Sequence, residues 1–233
     1  MLSKTVSESD SKDTLSKQAY LKIRQMVMDR AFPSDKRISE TRLGRELGIS
    51  RTPVREAIQQ LSREGLLVQR PSSGTYVVQT QASEVHDIYE VRLALETMAV
   101  SKAAKRMKPQ DIRQLKGYVQ EMNQVIFAFR ASGESVIKGI LLSQFHQADK
   151  AFHNLILQVA GNSFAQAIVS QGHVKQHVFG QQSHHRDLHH LAWVWLLHAR
   201  IARAIGRRDS KAARHAMAKH IRTSMRDALA QVR

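Results

Sequence analysis

Apolar positions keep a helical period over most of this chain. Leu15, Ala19, Ile23, Met26 and Val27 recur every three or four residues, and the pattern stops at Phe32-Pro33-Ser34; the spacing predicts a first helix with one buried face. Ser39-Glu40-Thr41-Arg42 offers a cap for a short second helix through Leu47, which Gly48 breaks. Ser50 offers the cap of a third, with Pro53 in its first turn and Glu56 in its first two. After Glu64-Gly65 the period changes. Leu66-Leu67-Val68-Gln69 and Thr75-Tyr76-Val77-Val78 read as strands joined by a Pro-Ser-Ser-Gly turn, a hairpin. Helix, helix, turn, helix, hairpin is the order of a winged helix-turn-helix.

Beyond residue 80 the strand signal nearly vanishes. Helical patterns run over about 83–106, 109–131, 138–160, 163–180, 187–206 and 210–231, with Gly133, Gly161-Asn162 and Gly206 to Asp209 at boundaries and Pro109 able to open the second. Six such stretches predict an antiparallel all-α bundle. The fold class is therefore mainly α, with a tail over 1–13, a winged helix-turn-helix over 14–80 and a helical bundle over 81–233.

Composition narrows the function. The 233 residues include no cysteine, which excludes disulfide scaffolds, thiolate catalysis and cysteine-bound metal. The longest apolar run, Leu191 to Leu197, is far short of a membrane span, and residues 1–11 have no apolar core, so no membrane partner and a cytoplasmic location are expected. The net charge of +16 implies an anionic partner. Residues 1–80 carry +5 of it and residues 81–233 carry +11, and all 12 histidines lie in the second part.

In the third helix Val54, Ala57, Ile58 and Leu61 form the apolar stripe, which leaves Arg51, Thr52, Arg55 and Gln59 outward near the amino end. That is the end of a recognition helix that enters the major groove, where guanidinium suits guanine O6 and N7 or phosphate, and Ser50 and Thr52 suit phosphate. The competing reading is a pair of solvated arginines held by Glu56 or Asp35.

The second module sets ionisable residues on apolar stripes. At roughly 100° per residue, Leu142, Phe145, Phe152, Ile156 and Val159 share one arc, with Asp149 inside it and His153 at its edge. His198 is centred among Leu191, Val194, Trp195, Ile201, Ala202 and Ile205, and His220 shares the face of Ala213, Ala216 and Met217. A buried carboxylate must be paired, hydrogen-bonded or metal-bound. Three imidazoles and one carboxylate suit a first-row divalent ion such as Zn²⁺ or Ni²⁺, one per chain, with positions left open; each histidine taken singly also fits a hydrogen-bonded core residue. Arg92 lies on the stripe of Val85, Ile88, Leu95 and Ala99, where it either snorkels, pairs with Glu96 or clamps an anion.

LGRELGISRTPVREAIQQLSREGL, residues 43–66, resembles the DNA-binding signature of the GntR family of bacterial transcription regulators, and RPSSGTYV resembles its wing. The resemblance covers about residues 15–79 and implies that Arg51, Thr52 and Arg55 contact operator DNA, with Gly74 at the wing tip; Ser72-Ser73 stands where many relatives carry a large basic or polar residue. Residues 83–231 resemble the FCD ligand-binding domain of the family's FadR branch through IYEVRLALE, DKAFHNLI, LLHARIARAI and AMAKHI. This implies that Asp149, His153, His198 and His220 are metal ligands and that Arg92 helps bind an effector. Leu197 departs from the acidic residue that often precedes the histidine, and the run His184 to His190 has no counterpart and reads as a loop, an extra site or an alternative ligand source.

The expectation is a non-enzymatic, homodimeric regulator, in this family usually a repressor, that binds operator DNA under control of a small carboxylate at the metal. The rivals are a metallohydrolase with a DNA-targeting module, for which no motif places a general base, and a regulator whose metal is purely structural.

Overall fold

The computed structural model describes residues 5–28, 31–32, 36–78, 81–179 and 187–230. Among them are nine helices and one two-stranded sheet. The chain divides into two compact units, residues 1–80 with 177–179, and residues 81–176 with 180–233.

In the first unit α1 (Thr5–Met28), α2 (Glu40–Leu47) and α3 (Arg51–Arg63) precede β1 (Leu67–Arg70) and β2 (Gly74–Val77). α1 starts at Thr5, within the stretch expected to be a tail. Its predicted stripe is the buried one, with Ala19, Ile23 and Val27 packed in a core with Leu43, Val54, Ala57, Ile58, Leu61 and Leu66. Ser39 caps α2 by accepting from the Arg42 amide at 3.3 Å. Gly48 ends α2 in the left-handed region (φ 69°), where a residue without Cβ avoids the strain of an L side chain, and its amide donates back to Arg45 and Gly44 carbonyls. Ser50 occupies the N-cap position of α3, but its side chain makes no capping hydrogen bond.

The strands pair antiparallel from Leu67 opposite Val77 to Arg70 opposite Gly74. The turn is therefore Pro71-Ser72-Ser73, and Gly74 is the first residue of β2 instead of the wing tip. Its φ of 124° and the Arg37 side chain lying where a Cβ would stand explain the glycine. Ile38 extends the sheet by one bridge, its amide donating to the Thr75 carbonyl at 2.7 Å.

The second unit contains α4 (Ala82–Arg106), α5 (Pro109–Ser132), α6 (Gly139–Ala160), α7 (Ser163–Phe179), α8 (Leu188–Gly206) and α9 (Ser210–Leu229). Pro109 opens α5, Gly133 and Gly161 end α5 and α6 in the left-handed region, and Asp187 and Asp209 cap α8 and α9 by accepting amide hydrogen bonds. α4 packs on α9 and α6, α5 on α6 and α8, and α8 on α9. Their shared core includes Val100, Leu115, Met122, Phe129, Phe152, Ile156, Ile201, Ile205 and Met217. Because α6 lies against both α4 and α5, its buried face is wider than its apolar stripe: His153 is fully enclosed, whereas Asp149, expected deeper, stays part-exposed. No helix among the described residues is long and apolar enough to cross a membrane.

Candidate metal centre and nucleic-acid interface

Three helices bring the expected ligands together in the second unit. α6 supplies Asp149 and His153 one turn apart, α8 supplies His198 and α9 supplies His220. One ligand atom from each lies within 4.8 Å of the others. His153 Nε2 is 3.1 Å from His220 Nε2 and 3.3 Å from His198 Nε2, and His198 Nε2 is 3.0 Å from Asp149 Oδ1. The imidazoles are at most 3% exposed, whereas the Asp149 side chain is 27% exposed. Phe152 meets the rings of His198 and His153 edge-on, with centroids 4.8 and 5.6 Å away.

The outer nitrogens fix how the inner ones face. His198 Nδ1–H donates to the Val194 carbonyl at 2.8 Å, and His153 Nδ1–H donates to Glu96 Oε2 at 2.5 Å. In the neutral rings of His153 and His198 this leaves Nε2 lone pairs turned toward one another and toward a carboxylate oxygen, a repulsion relieved by a shared cation, by a proton on His198 Nε2 given to Asp149, or by His220 Nε2–H donating to His153 Nε2. His220 Nδ1 is buried without a hydrogen-bond partner. Nitrogens bound to a tetrahedral zinc ion at 2.0–2.1 Å stand about 3.3–3.4 Å apart, so the spacing and donor set fit a divalent ion. Electrostatics agree. Burial tends to raise the Asp149 carboxyl, but the hydrogen bond from His198 and the surrounding imidazoles hold it well below the usual carboxylate range. Burial, then the neighbouring His198 and His153, push His220 well below an ordinary imidazole.

Arg92 is 5% exposed, so it does not snorkel. Its Nε donates to Glu96 Oε1 at 2.7 Å, one turn along α4, and its guanidinium lies 5.3 Å from the Tyr89 ring centre. Burial works most strongly against its charge, but Glu96, Tyr89 and Asp149 together more than offset it, and its pKa is raised. Pairing with Glu96 was legible from the spacing of four; the second partner of Glu96, His153, was not.

In the first unit Arg51, Thr52, Arg55 and Gln59 are exposed on α3, as is Ser50 before it, while Pro53, Val54, Ala57, Ile58 and Leu61 are buried. Among the described residues the arginines pair with Glu40 and not with Glu56. Arg55 Nη2 lies 3.2 Å and Arg51 Nη2 3.5 Å from Glu40 Oε2, on the first residue of α2. Glu56 instead accepts from the Ser16 hydroxyl of α1, and Asp35 lies outside the described residues. Of the histidine run, His184, His185 and Arg186 lie outside the described residues, Asp187 caps α8, and His190 Nδ1 stands 3.9 Å from Asp227 Oδ2. Gln79 and Thr80, at the expected boundary between the two modules, also lie outside them.

A recognition helix exposing arginines beside a wing, in one chain with an all-helical domain, defines a DNA-binding transcription regulator. Residues 15–77 match the gntR family of bacterial regulatory proteins, and residues 87–223 match the FCD domain. The chain belongs to the GntR family of transcription regulators, with an FCD C-terminal domain. It is 25% identical over 204 residues to the uncharacterized HTH-type transcriptional regulator YdhC of Bacillus subtilis, covering 87% of this chain and 86% of that one. It is 26% identical over 210 residues to the HTH-type transcriptional repressor RspR of Escherichia coli, covering 89% and 86%. The solved structure of E. coli McbR/YncC has the same fold, with a TM-score of 0.74 at 20% identity over 94% of this chain and 99% of that one.

Proposed function

We propose that this chain is a cytoplasmic, non-catalytic repressor that binds operator DNA as a homodimer and responds to a small carboxylate. In this reading Asp149, His153, His198 and His220 hold one divalent transition-metal ion per chain, zinc or nickel. The single observation that carries it is the convergence of three Nε2 atoms and a part-exposed carboxylate in an otherwise buried cluster. When bound, the ion supplies a Lewis-acidic centre for an oxygen donor.

The chain's own residues supply the rest. Asp149 is the exposed member of the set, so it marks the side of entry. Arg92 keeps its charge because Glu96, Tyr89 and Asp149 together offset its burial, and a carboxylate effector would share the guanidinium with Glu96. Arg51, Thr52 and Arg55 face the operator, with Ser50 and Gln59 beside them and Gly74 next to the turn of the wing. The similarity to the repressor RspR supports repression. A two-fold-related operator follows, because one short helix reads few bases.

A structural metal is the second reading, favoured by the deep burial of the imidazoles and by Arg92 being already paired. Hydrolysis is not supported by Glu96, whose oxygens are engaged by Arg92 and His153 instead of being aimed at water. Metal analysis of the purified chain, followed by titration of carboxylates with and without operator DNA, tests the proposal. Effector control changes operator affinity by about 5- to 150-fold, and DNA changes effector affinity by the same factor. Bound metal with no carboxylate effect on DNA leaves the structural reading.

A further inference from the structure

We propose that Glu96 is a positioning residue of the cation site, locking His153 in the tautomer whose Nε2 lone pair faces the other ligands. The inference rests on the metal reading above. Arg92 and Glu96 lie four residues apart on the buried face of α4, which also carries Val85, Tyr89, Ala99 and Val100. The Glu96 side chain is 1% exposed. A carboxylate buried this deeply persists only when paired, and an ion pair with Arg92 alone would stabilise it. The second contact is different in kind. Oε1 accepts from Arg92 while Oε2 reaches across to α6 and accepts from His153 Nδ1, the nitrogen that points away from the ligand cluster.

That arrangement makes the identity of residue 96 a switch on the position of a proton. A carboxylate is an acceptor at both oxygens, so His153 must carry its proton on Nδ1, which leaves Nε2 able to ligate. Glutamine has nearly the same shape but one acceptor and one donor group. The cationic Arg92 claims the amide oxygen, because a charge-assisted hydrogen bond is the stronger of the two. The amide NH₂ then turns to His153 Nδ1, the proton moves to Nε2, and it points into the cluster where a cation would be held. Replacing Arg92 with methionine in the same chain frees the amide oxygen to turn back to His153 Nδ1–H. The assignment therefore requires that a second substitution repair the first.

The test uses the full, metal-stripped chain, Zn²⁺ titration by calorimetry, and long-range ¹H–¹⁵N spectra of the imidazoles at a pH near 8, above the ordinary histidine range. The expected wild-type signal for His153 is the Nδ1–H form. Glu96→Gln binds Zn²⁺ about 10- to 100-fold more weakly and shows the Nε2–H form at His153. The Arg92→Met/Glu96→Gln double variant regains most of the affinity and the Nδ1–H form. A wild-type His153 protonated on Nε2 overturns the assignment, as does a folded Glu96→Gln chain with wild-type zinc affinity. A wild-type chain that takes up no zinc while His153 keeps Nδ1–H overturns the metal reading and supports the tautomer lock. Should Glu96→Gln fail to fold, the wild-type tautomer and the double variant decide.

Discussion

Glu96 Oε2 and His153 Nδ1 meet at 2.5 Å although 57 residues separate them in the chain. This contact ties α4 to α6 beside the ligand cluster, and through Arg92 it joins the cationic side chain proposed for the effector to a residue proposed for the metal. Perturbing either partner therefore reaches both.

Removing Arg92 is expected to unfold the second unit more readily than a surface change would. Arg92→Ala leaves the buried Glu96 carboxylate without its cation, at a cost of about 3–5 kcal/mol. The Arg92→Met/Glu96→Gln pair costs less than the sum of Arg92→Met and Glu96→Gln, a non-additivity that denaturant unfolding of the three variants measures. Loss of effector response in Arg92→Ala is interpretable only at temperatures where that variant is folded.

Metal removal should lower thermal stability, because an ion that binds only the native state stabilises it by about 4 kcal/mol at a thousand times its dissociation constant. Chelation should shift the melting temperature down in the wild type and leave His198→Ala unmoved. Equal shifts in both chains, seen by differential scanning calorimetry, would count against the four-residue site.

On DNA, Arg55→Ala should weaken operator binding by about 1–3 kcal/mol if that side chain reads a guanine, and affinity should fall as salt rises. Arg51 and Arg55 share Glu40, so each single change leaves the remaining arginine held by Glu40 alone and less available to DNA, and the double variant should lose less than the sum. Operator titrations of the two single variants and the double one check this. Unchanged binding by the double variant would defeat the assignment of α3.

Two glycines should respond differently to alanine. At Gly48 no atom lies within 4 Å of an added Cβ, so Gly48→Ala carries only left-handed backbone strain, about 1–2 kcal/mol. At Gly74 the added Cβ also meets the Arg37 side chain, so Gly74→Ala must shift Arg37 as well and should destabilise the hairpin further. Urea unfolding of both variants gives the comparison.

Alkaline stability offers a check on the α4 packing. Burial pushes the Tyr89 phenol up to about 12 from its ordinary 10. The unfolded chain loses this proton first, so the folded state is penalised as pH rises from about 10 toward 12, by about 2–3 kcal/mol at the end. Tyr89→Phe should flatten that part of the pH–stability profile, read by denaturant unfolding.

Most elements were legible because their signals are local. Six C-terminal helices follow from apolar spacing and from stops such as Gly133 and Gly161, and the chemistry of each boundary acts over four residues. Asp149, His153, His198 and His220 were also legible, since an ionisable residue on an apolar stripe is anomalous whatever it packs against. Periodicity gives direction about one helix axis and no distance between axes. It therefore placed Asp149 inside and His153 at the edge of the α6 stripe, whereas packing by both α4 and α5 enclosed His153 and left Asp149 part-exposed. For the same reason Glu56, on their own helix, stood as a candidate partner for Arg51 and Arg55, while the turn at Gly48 brought Glu40 to them. The sequence by itself determined which residues had to be inside and where each helix stopped, because hydrophobic burial and capping act within one element. Only the tertiary structure decided which buried groups meet, above all Glu96 with His153, because that depends on how separate helices cross.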